Sequence, residues 1–542
     1  MKALVNRHWK MILLTGLFLY LLIISMQSVT LTDEGFYLSS YQTFFPDPNS
    51  NGYFFMYYLT MLIGGIWEQI VGRGGILSFR ILNSITILAS VWLACSSLRY
   101  LTEKKKTLIM ASIFTVVFLS FNSTSFSYNT LSLLLICLLF HNIVHYYQTN
   151  SKTYLMLAGF ISGLSVYARI PNILFLFIPV PVLLAKHAGK TKYLSLMCGF
   201  LGGIVGVSLI MNALDHVLLF VQVVKDIFVL SSSYDSSHGI TKMCIVYLCN
   251  IRDVSAVTLS CCALYYIMKR KHPIATVLCI IVMVYWILVV IGMLTRPGLY
   301  GVIYGILFFG TILYWLIHSS PQDEASRLMA LHTYLGAALA VIYPIGSDYG
   351  IYNVANISTF WLCFIVCVMW LGLDIHTSSY NMAKATVLTL TIIVLERVIA
   401  NPSFSGVSRI ECVSKPQESS LANIYMSQEA AIELDGLLKV IKSITQKGDY
   451  VLCYPNIPMI NYLSETRPYL YNCWPKLYTS ELLKFYLNKA VAEKKSLPVV
   501  VRQKQSLKDD KYQILIDFTQ RYNYNTIANN TSYEILIPNL SR

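Results

Sequence analysis

Asp33 and Glu34 are the first residues whose type and spacing suggest chemistry. They sit in Thr32-Asp33-Glu34-Gly35-Phe36-Tyr37, directly after an apolar run of nearly twenty residues. Two adjacent carboxylates at the edge of hydrocarbon are costly unless they are solvated, paired or used. A carboxylate there can take the proton of an acceptor hydroxyl as that hydroxyl attacks a sugar carbon. Asp33 is the candidate base. Glu34, on the same turn, points elsewhere, towards a basic group or the acceptor, and Tyr37 one turn on is a candidate substrate contact.

Basic groups at the same depth form the second set. Arg80 opens a later apolar run, and Arg169 lies in Tyr167-Ala-Arg-Ile-Pro171, where the proline fixes the turn around it. Lys225, Lys242 and Arg296 lie in or beside further polar connections. Such cations can hold an anionic lipid headgroup and offset charge on a phosphate leaving group. Each also has a plainer role, snorkelling from a helix end to the headgroups. A third stretch, Tyr343 to Asn353, carries Gly346 and Gly350 with Ser347, Asp348 and Asn353, a polar turn suited to a sugar or phosphate. His238 belongs to a polar loop able to order over a substrate. No His/Asp/Glu cluster has metal-ligand spacing, so no metal ligand is assigned and no cofactor is implied; assistance by a divalent cation stays open.

The elements that must position these groups are membrane helices. The chain has 542 residues, 56% hydrophobic and 13% charged, against about 25% charged in a soluble protein. Apolar runs predict thirteen spans at 11–30, 77–98, 107–121, 130–147, 154–168, 171–186, 193–213, 254–268, 274–293, 299–318, 327–345, 357–375 and 385–400. Segment 53–71 reads as an interfacial helix, because counting it as a span inverts every later basic loop. With the N-terminus inside, 16 of the 24 basic residues before 401 fall on the cytoplasmic side, as the positive-inside rule requires. The net charge of +14 is largely this bias, and no nucleic-acid partner is needed to explain it. The first thirty residues read as an anchor, with no small-residue cleavage site after them.

Residues 1–400 are therefore expected to form a membrane domain with a first outer loop at 31–76. Residues 401–542, with 17 basic and 13 acidic groups and no spanning run, form a soluble domain outside the cytoplasm. A helix at 429–446, a strand at 449–454, a helix at 479–492 and strands at 497–502 and 533–537 predict a small α/β fold. It lacks a phosphate loop, a nucleophile elbow and a metal motif, so its expected role is a lid or acceptor platform. Cys412, Cys453 and Cys473 lie in this part, and two of them are placed to pair.

In this arrangement the chain resembles the GT-C superfamily of membrane glycosyltransferases. The similar branch is the glycosyltransferase family 39-like group, with the protein O-mannosyltransferases and the bacterial aminoarabinose transferase for lipid A. The resemblance rests on Asp33-Glu34 after the first span, on interfacial helices before Phe79-Arg80-Ile-Leu-Asn83, and on thirteen spans leading to a C-terminal soluble domain. Where such relatives carry a His-Pro-Pro-type sequence, this chain has Asn51-Gly-Tyr-Phe54. The resemblance implies a multi-pass protein of the plasma or inner membrane. It implies an inverting transferase that moves a sugar from a polyprenyl-phosphate donor to a glycan, lipid or protein acceptor. Asp33 takes the place of the family's catalytic acid. A transporter or flippase of lipid-linked glycans is the competing reading, and a glycan polymerase or ligase the third. A transporter should carry charge at mid-bilayer and repeat symmetry, whereas here the polar groups cluster at span ends.

Overall fold

The computed structural model describes residues 2–71, 74–101, 105–119, 125–232, 239–269, 298–317, 324–347, 349–352, 360–372, 407–494, 496–504, 510–530 and 532–539, with isolated positions within 277–285 and 395–399. The apolar runs are helices, as expected: α1 (Lys2–Ser25), α4 (Gly75–Leu98), α5 (Lys105–Leu119), α6 (Tyr128–Thr149), α7 (Lys152–Ala168) and α9 (Lys190–Ala213). Further along come α11 (Ile240–Lys269), α12 (Gly298–Ile317), α13 (Glu324–Ile342) and α14 (Phe360–Gly372). Among the described residues six helical segments are long and apolar enough to cross a membrane, at 8–25, 48–71, 75–98, 128–149, 190–213 and 240–263. The expected spans 274–293 and 385–400 lie almost wholly outside the described residues. The expected span 171–186 is a 3-10 stretch, Ile170–Phe177, followed by the short helix α8 (Val180–Ala185). Pro171, Pro179 and Pro181 remove the N–H groups that one continuous helix would need.

The loop between α1 and α4 folds on one face. It contains α2 (Asp33–Thr43), a 3-10 stretch Pro48–Tyr57 and α3 (Tyr58–Val71). Residues 48–71 meet the length and hydropathy of a span, yet both flanking ends meet the same later segment. Past the end of α1, Ser28 and Tyr425 exchange backbone bonds with Tyr425 and Met26 at 2.7 and 2.6 Å. At the start of α4, Gly75 lies against the Ser420 carbonyl. Both ends of this loop therefore lie beside residues 420–425. The helical part α3 has 14 residues, about 21 Å, and lies against α2, as the interfacial reading expects.

One expectation fails here. The stretch 214–253, between the expected spans 193–213 and 254–268, reads as one long outer loop, but most of it is helix: α10 (Val217–Ser232) and the first turns of α11. Lys225 and Asp226 interrupt the apolar run of α10, so it lacks the uniform apolar surface of a span. Instead it packs on the 48–57 stretch, and its Asp226 accepts the Tyr486 hydroxyl from the C-terminal part.

Helices α7 and α9 make the closest packing in the membrane part. Gly159 and Gly163 face Gly199 and Gly203, and a Cβ on Gly199 would stand 1.9 Å from the Met156 carbonyl oxygen. Small residues four apart let two backbones touch where lipid offers no hydrophobic drive. Gly199→Val must push the helices apart, and a loss of about 1–3 kcal/mol is expected. Unfolding of the detergent-solubilised protein measures it; unchanged stability would rule out this contact.

The C-terminal part is the small α/β unit expected. Its elements are α15 (Gln428–Ile444), β1 (Tyr450–Tyr454), α16 (Met459–Leu463), β2 (Arg467–Pro468), α17 (Ser480–Lys494), β3 (Val499–Gln503), α18 (Asp510–Arg521), β4 (Tyr524–Asn529) and β5 (Tyr533–Pro538). They form one sheet in the order β2-β1-β3-β5-β4. Strands β2, β1 and β3 run parallel, with Val451 beside Val499, while β5 pairs antiparallel with both β3 and β4. The apolar run Val451-Leu-Cys-Tyr454 is fully buried, the mark of a central parallel strand. Strand β2 has two residues and β4 is half-exposed, too short or too polar to read from periodicity. Cys412, Cys453 and Cys473 are buried free thiols, so the expected pairing is not made.

Lys494 ends α17 among three rings, 4.0 Å from the centroid of Tyr450, 4.4 Å from Tyr471 and 5.4 Å from Tyr469. Its Nζ also donates to the Pro468 carbonyl at 3.3 Å. Burial pushes this ammonium down to about 7, against the upward pull of Asp47 and Glu493. Between about 7 and the ordinary lysine value the unfolded chain holds more protons than the folded one. Stability should therefore rise with pH through that window and fall away as pH drops towards 7. The slope is at most about 1.4 kcal/mol per pH unit. Lys494→Met should flatten the profile of melting temperature between pH 7 and 10; an unaltered profile would show that Lys494 does not titrate there.

Candidate functional site

The acidic pair opens α2, and its two members have opposite fates. Asp33 is the one exposed residue of that helix, and Glu34 is buried. Carboxylates in a first helical turn face unsatisfied N–H groups and the positive end of the helix dipole. The next residue, Gly35, sets the depth of the turn: a Cβ there would stand 2.2 Å from the Met459 backbone nitrogen. Met459 also donates its N–H to the Leu31 carbonyl at 3.0 Å. The start of α2 is thus locked against α16 of the C-terminal part.

Glu34 pairs with Arg80 on α4. Nε reaches one carboxylate oxygen at 2.8 Å and Nη2 the other at 2.7 Å, with both side chains almost wholly buried. The remaining guanidinium N–H groups go to the carbonyls of Ser25, Gln27 and Ser28. All five donors of Arg80 are engaged. This corrects the expectation that Arg80 binds a donor phosphate: no N–H is left for one, and the group is sealed from solvent. Glu34 also accepts from Ser125 Oγ and the Thr30 N–H. The pair ties the end of α1, the start of α2, α4 and the segment before α6 into one knot, and Asp33 projects from it.

Asp33 opens onto a cavity of about 940 Å³ between the 28–33 segment and the C-terminal part. Lys242, at the start of α11, and Tyr349 reach the same cavity, as do Asn456, Trp474, Lys476 and Lys511. Of the candidates read from the sequence, the fold brings Asp33 and Lys242 to one space. Lys225 is exposed on α10 and does not line that space. Arg296, His238, Asp348 and Asn353 lie outside the described residues.

Behind Asp33 stands a wall of phenols. Tyr37 is edge-on to Tyr128 at 5.9 Å, and Tyr128 stacks on Tyr57 at 4.2 Å. Burial holds the Tyr37 hydroxyl well above its ordinary value, with Tyr128 and Asp33 adding to the effect. Tyr37 is therefore a hydrogen-bond donor and never a base at neutral pH. Tyr343 continues the wall, its hydroxyl donating to Asn129 at 2.8 Å.

Arg169 and the 343–347 turn meet, a contact that the sequence reading did not give. Arg169 donates to the carbonyls of Tyr343 and Ile345, and its guanidinium lies 5.1 Å from the Tyr343 ring centroid. Two of its N–H groups therefore brace the turn. Ser347 is buried and its Oγ accepts the Tyr349 N–H at 3.2 Å, so it shapes the turn that carries Tyr349 to the cavity.

The sequence reading missed the residues of the C-terminal wall. They come from the connections after β1 and β2, from the end of β3 and from the start of α18, and carry no motif. A usable signal was their place after strands, since the open ends of parallel strands are where α/β units bind ligands. Among the described residues no three metal-ligating side chains converge. No known protein family and no curated protein matches the chain. Fold and cavity together define a helical membrane protein whose small α/β part covers a charged cleft.

Proposed function

We propose that the chain is an inverting glycosyltransferase of the GT-C kind, with about thirteen spans, its C-terminal part outside the cytoplasm, and a polyprenyl-phosphate sugar as donor. The carrying observation is Asp33, the single acid of the Asp-Glu pair that faces the cavity. An acceptor O–H attacks the anomeric carbon, and its proton passes to the Asp33 carboxylate. The anomeric C–O bond to phosphate breaks, and the lipid phosphate leaves with the electron pair. One base suffices and no covalent nucleophile is required.

Lys242 supports the same reading, since a cation lining the same cavity as the base suits the developing phosphate charge. The resemblance implies a plasma or inner membrane, and the basic-loop bias supports an outward C-terminal part. Transfer by the Asp33→Asn protein with a polyprenyl-phosphate sugar is the deciding measurement.

A further inference from the structure

We infer that the C-terminal wall of the cavity binds an acidic saccharide, so that the acceptor is a glycan carrying carboxylate, sulfate or phosphate groups. This rests on the transferase reading for the word acceptor, but the binding site stands on its own geometry.

The wall is built at the carboxyl ends of the parallel strands. Asn456 follows β1, Trp474 and Lys476 follow β2, Gln503 ends β3, and Lys511 opens α18. Loops at those ends converge while the strands behind them stay rigid, which is why ligands settle there. The side chains present are of two kinds. Trp474 is half-buried, edge-on to Phe36 at 5.7 Å, with its Nε1 only 3.4 Å from Asn456 Oδ1. An indole held at its edge presents a flat apolar body with one N–H, the surface on which a pyranose face packs. Asn456 and Gln503 flank it with amides, which can both donate to and accept from sugar hydroxyls. The Gln503 Oε1 is buried without a hydrogen-bond partner. A buried acceptor left unpaired is costly, and a turn of the amide into the cavity would let a sugar hydroxyl satisfy it.

The charge of the wall sets the class of saccharide. Lys476 and Lys511 flank Trp474 in the cavity, and Lys242 faces them from α11. Lys511 Nζ donates to the Lys476 backbone carbonyl at 3.4 Å, which holds that ammonium beside the Lys476 loop. Asp33 and Glu433 also line the space, leaving three cations against two anions. One of those anions is the proposed base, so the lysines are the part that answers to a bound anion. A neutral glycan would need the indole and amides but not the paired lysines. Lysine ammonium groups, as compact point charges, suit a carboxylate or sulfate that can sit in more than one place along a glycan.

The test uses the full chain in detergent micelles and isothermal titration calorimetry. The acidic probe is oligogalacturonate and the neutral probe is a maltooligosaccharide of equal length. The acidic probe should bind at least tenfold tighter than the neutral one, and more weakly as salt rises. The Lys476→Gln, Lys511→Gln double variant should weaken it about tenfold or more. Trp474→Ala should do likewise and Trp474→Phe should restore most of the binding. The Phe variant guards against a fold collapsed by loss of the ring. Asp33→Asn removes one of the two anions lining the cavity and should bind the acidic probe at least as tightly as wild type.

Equal binding of the two probes, no binding of either at millimolar concentration, or wild-type affinity in the double-lysine variant would each overturn the proposal. Loss of transfer in Asp33→Asn without probe binding would retain the transferase reading and reject the acidic-saccharide site. Probe binding with full transfer in Asp33→Asn would do the reverse.

Discussion

Asp33→Asn should lower sugar transfer by about 10²-fold or more while leaving donor binding and melting temperature close to wild type. The substitution keeps the shape of the side chain and removes the base. Asp33 is exposed at the first turn of α2, so no buried charge is orphaned and the fold has no reason to suffer. The residues that shape its position, Glu34, Gly35 and Met459, are untouched. The rate loss should shrink as pH rises, because a more basic medium takes over part of the proton transfer. Activity is measured with a polyprenyl-phosphate sugar and a glycan acceptor, and donor binding separately by calorimetry. Near-normal transfer would remove Asp33 as base and favour the transporter reading. A loss of transfer accompanied by loss of melting temperature would instead mark Asp33 as structural.

How much of this was legible in the sequence depends on the range of the interactions involved. The helices were legible because each is an apolar run that must satisfy its own backbone in lipid. The reading of 53–71 as an interfacial helix came from lysines far along the chain, since one wrong crossing inverts them all. Asp33 and Glu34 could be singled out as a pair, and Glu34 could be expected to seek a cation. That its cation is Arg80 was not legible. The two are 46 residues apart, and an arginine at a span end looks the same whether it faces a phosphate or three carbonyls. Arg169 was legible as unusual through Pro171, but its carbonyl partners at 343 and 345 arise only from packing. Helix α10 was hidden because Lys225 and Asp226 break its apolar run, and an amphipathic helix lying on a neighbour resembles a loop at that length. In the C-terminal part the long strands β1, β3 and β5 declared themselves by apolar runs. The cavity wall did not, because Asn456, Trp474, Lys476, Gln503 and Lys511 come together only when the sheet forms.

Arg80→Met on α4 should be strongly destabilising, by about 3–5 kcal/mol. It leaves the Glu34 carboxylate buried with only Ser125 and the Thr30 N–H as donors, and it strips the carbonyls of Ser25, Gln27 and Ser28 of their partner. Glu34→Gln should cost less, since the guanidinium keeps those carbonyls and an amide oxygen still accepts one of its N–H groups. The double variant Glu34→Gln, Arg80→Met should lose less than the sum of the two singles, because no unpaired charge remains buried. It should still fall short of wild type, for the three carbonyls stay unsatisfied whatever occupies position 34. Thermal unfolding of the four proteins in one detergent supplies the cycle; strict additivity would show that the pair is not coupled. Arg80→Lys separates charge from shape, because an ammonium offers three donors where five are taken, so it should recover little. Transfer should fall together with stability in Arg80→Met, since Asp33 is carried by the same turn, whereas Asp33→Asn loses transfer alone. A stable Arg80→Met protein that binds donor poorly would restore Arg80 to the phosphate role that its five bonds now deny it.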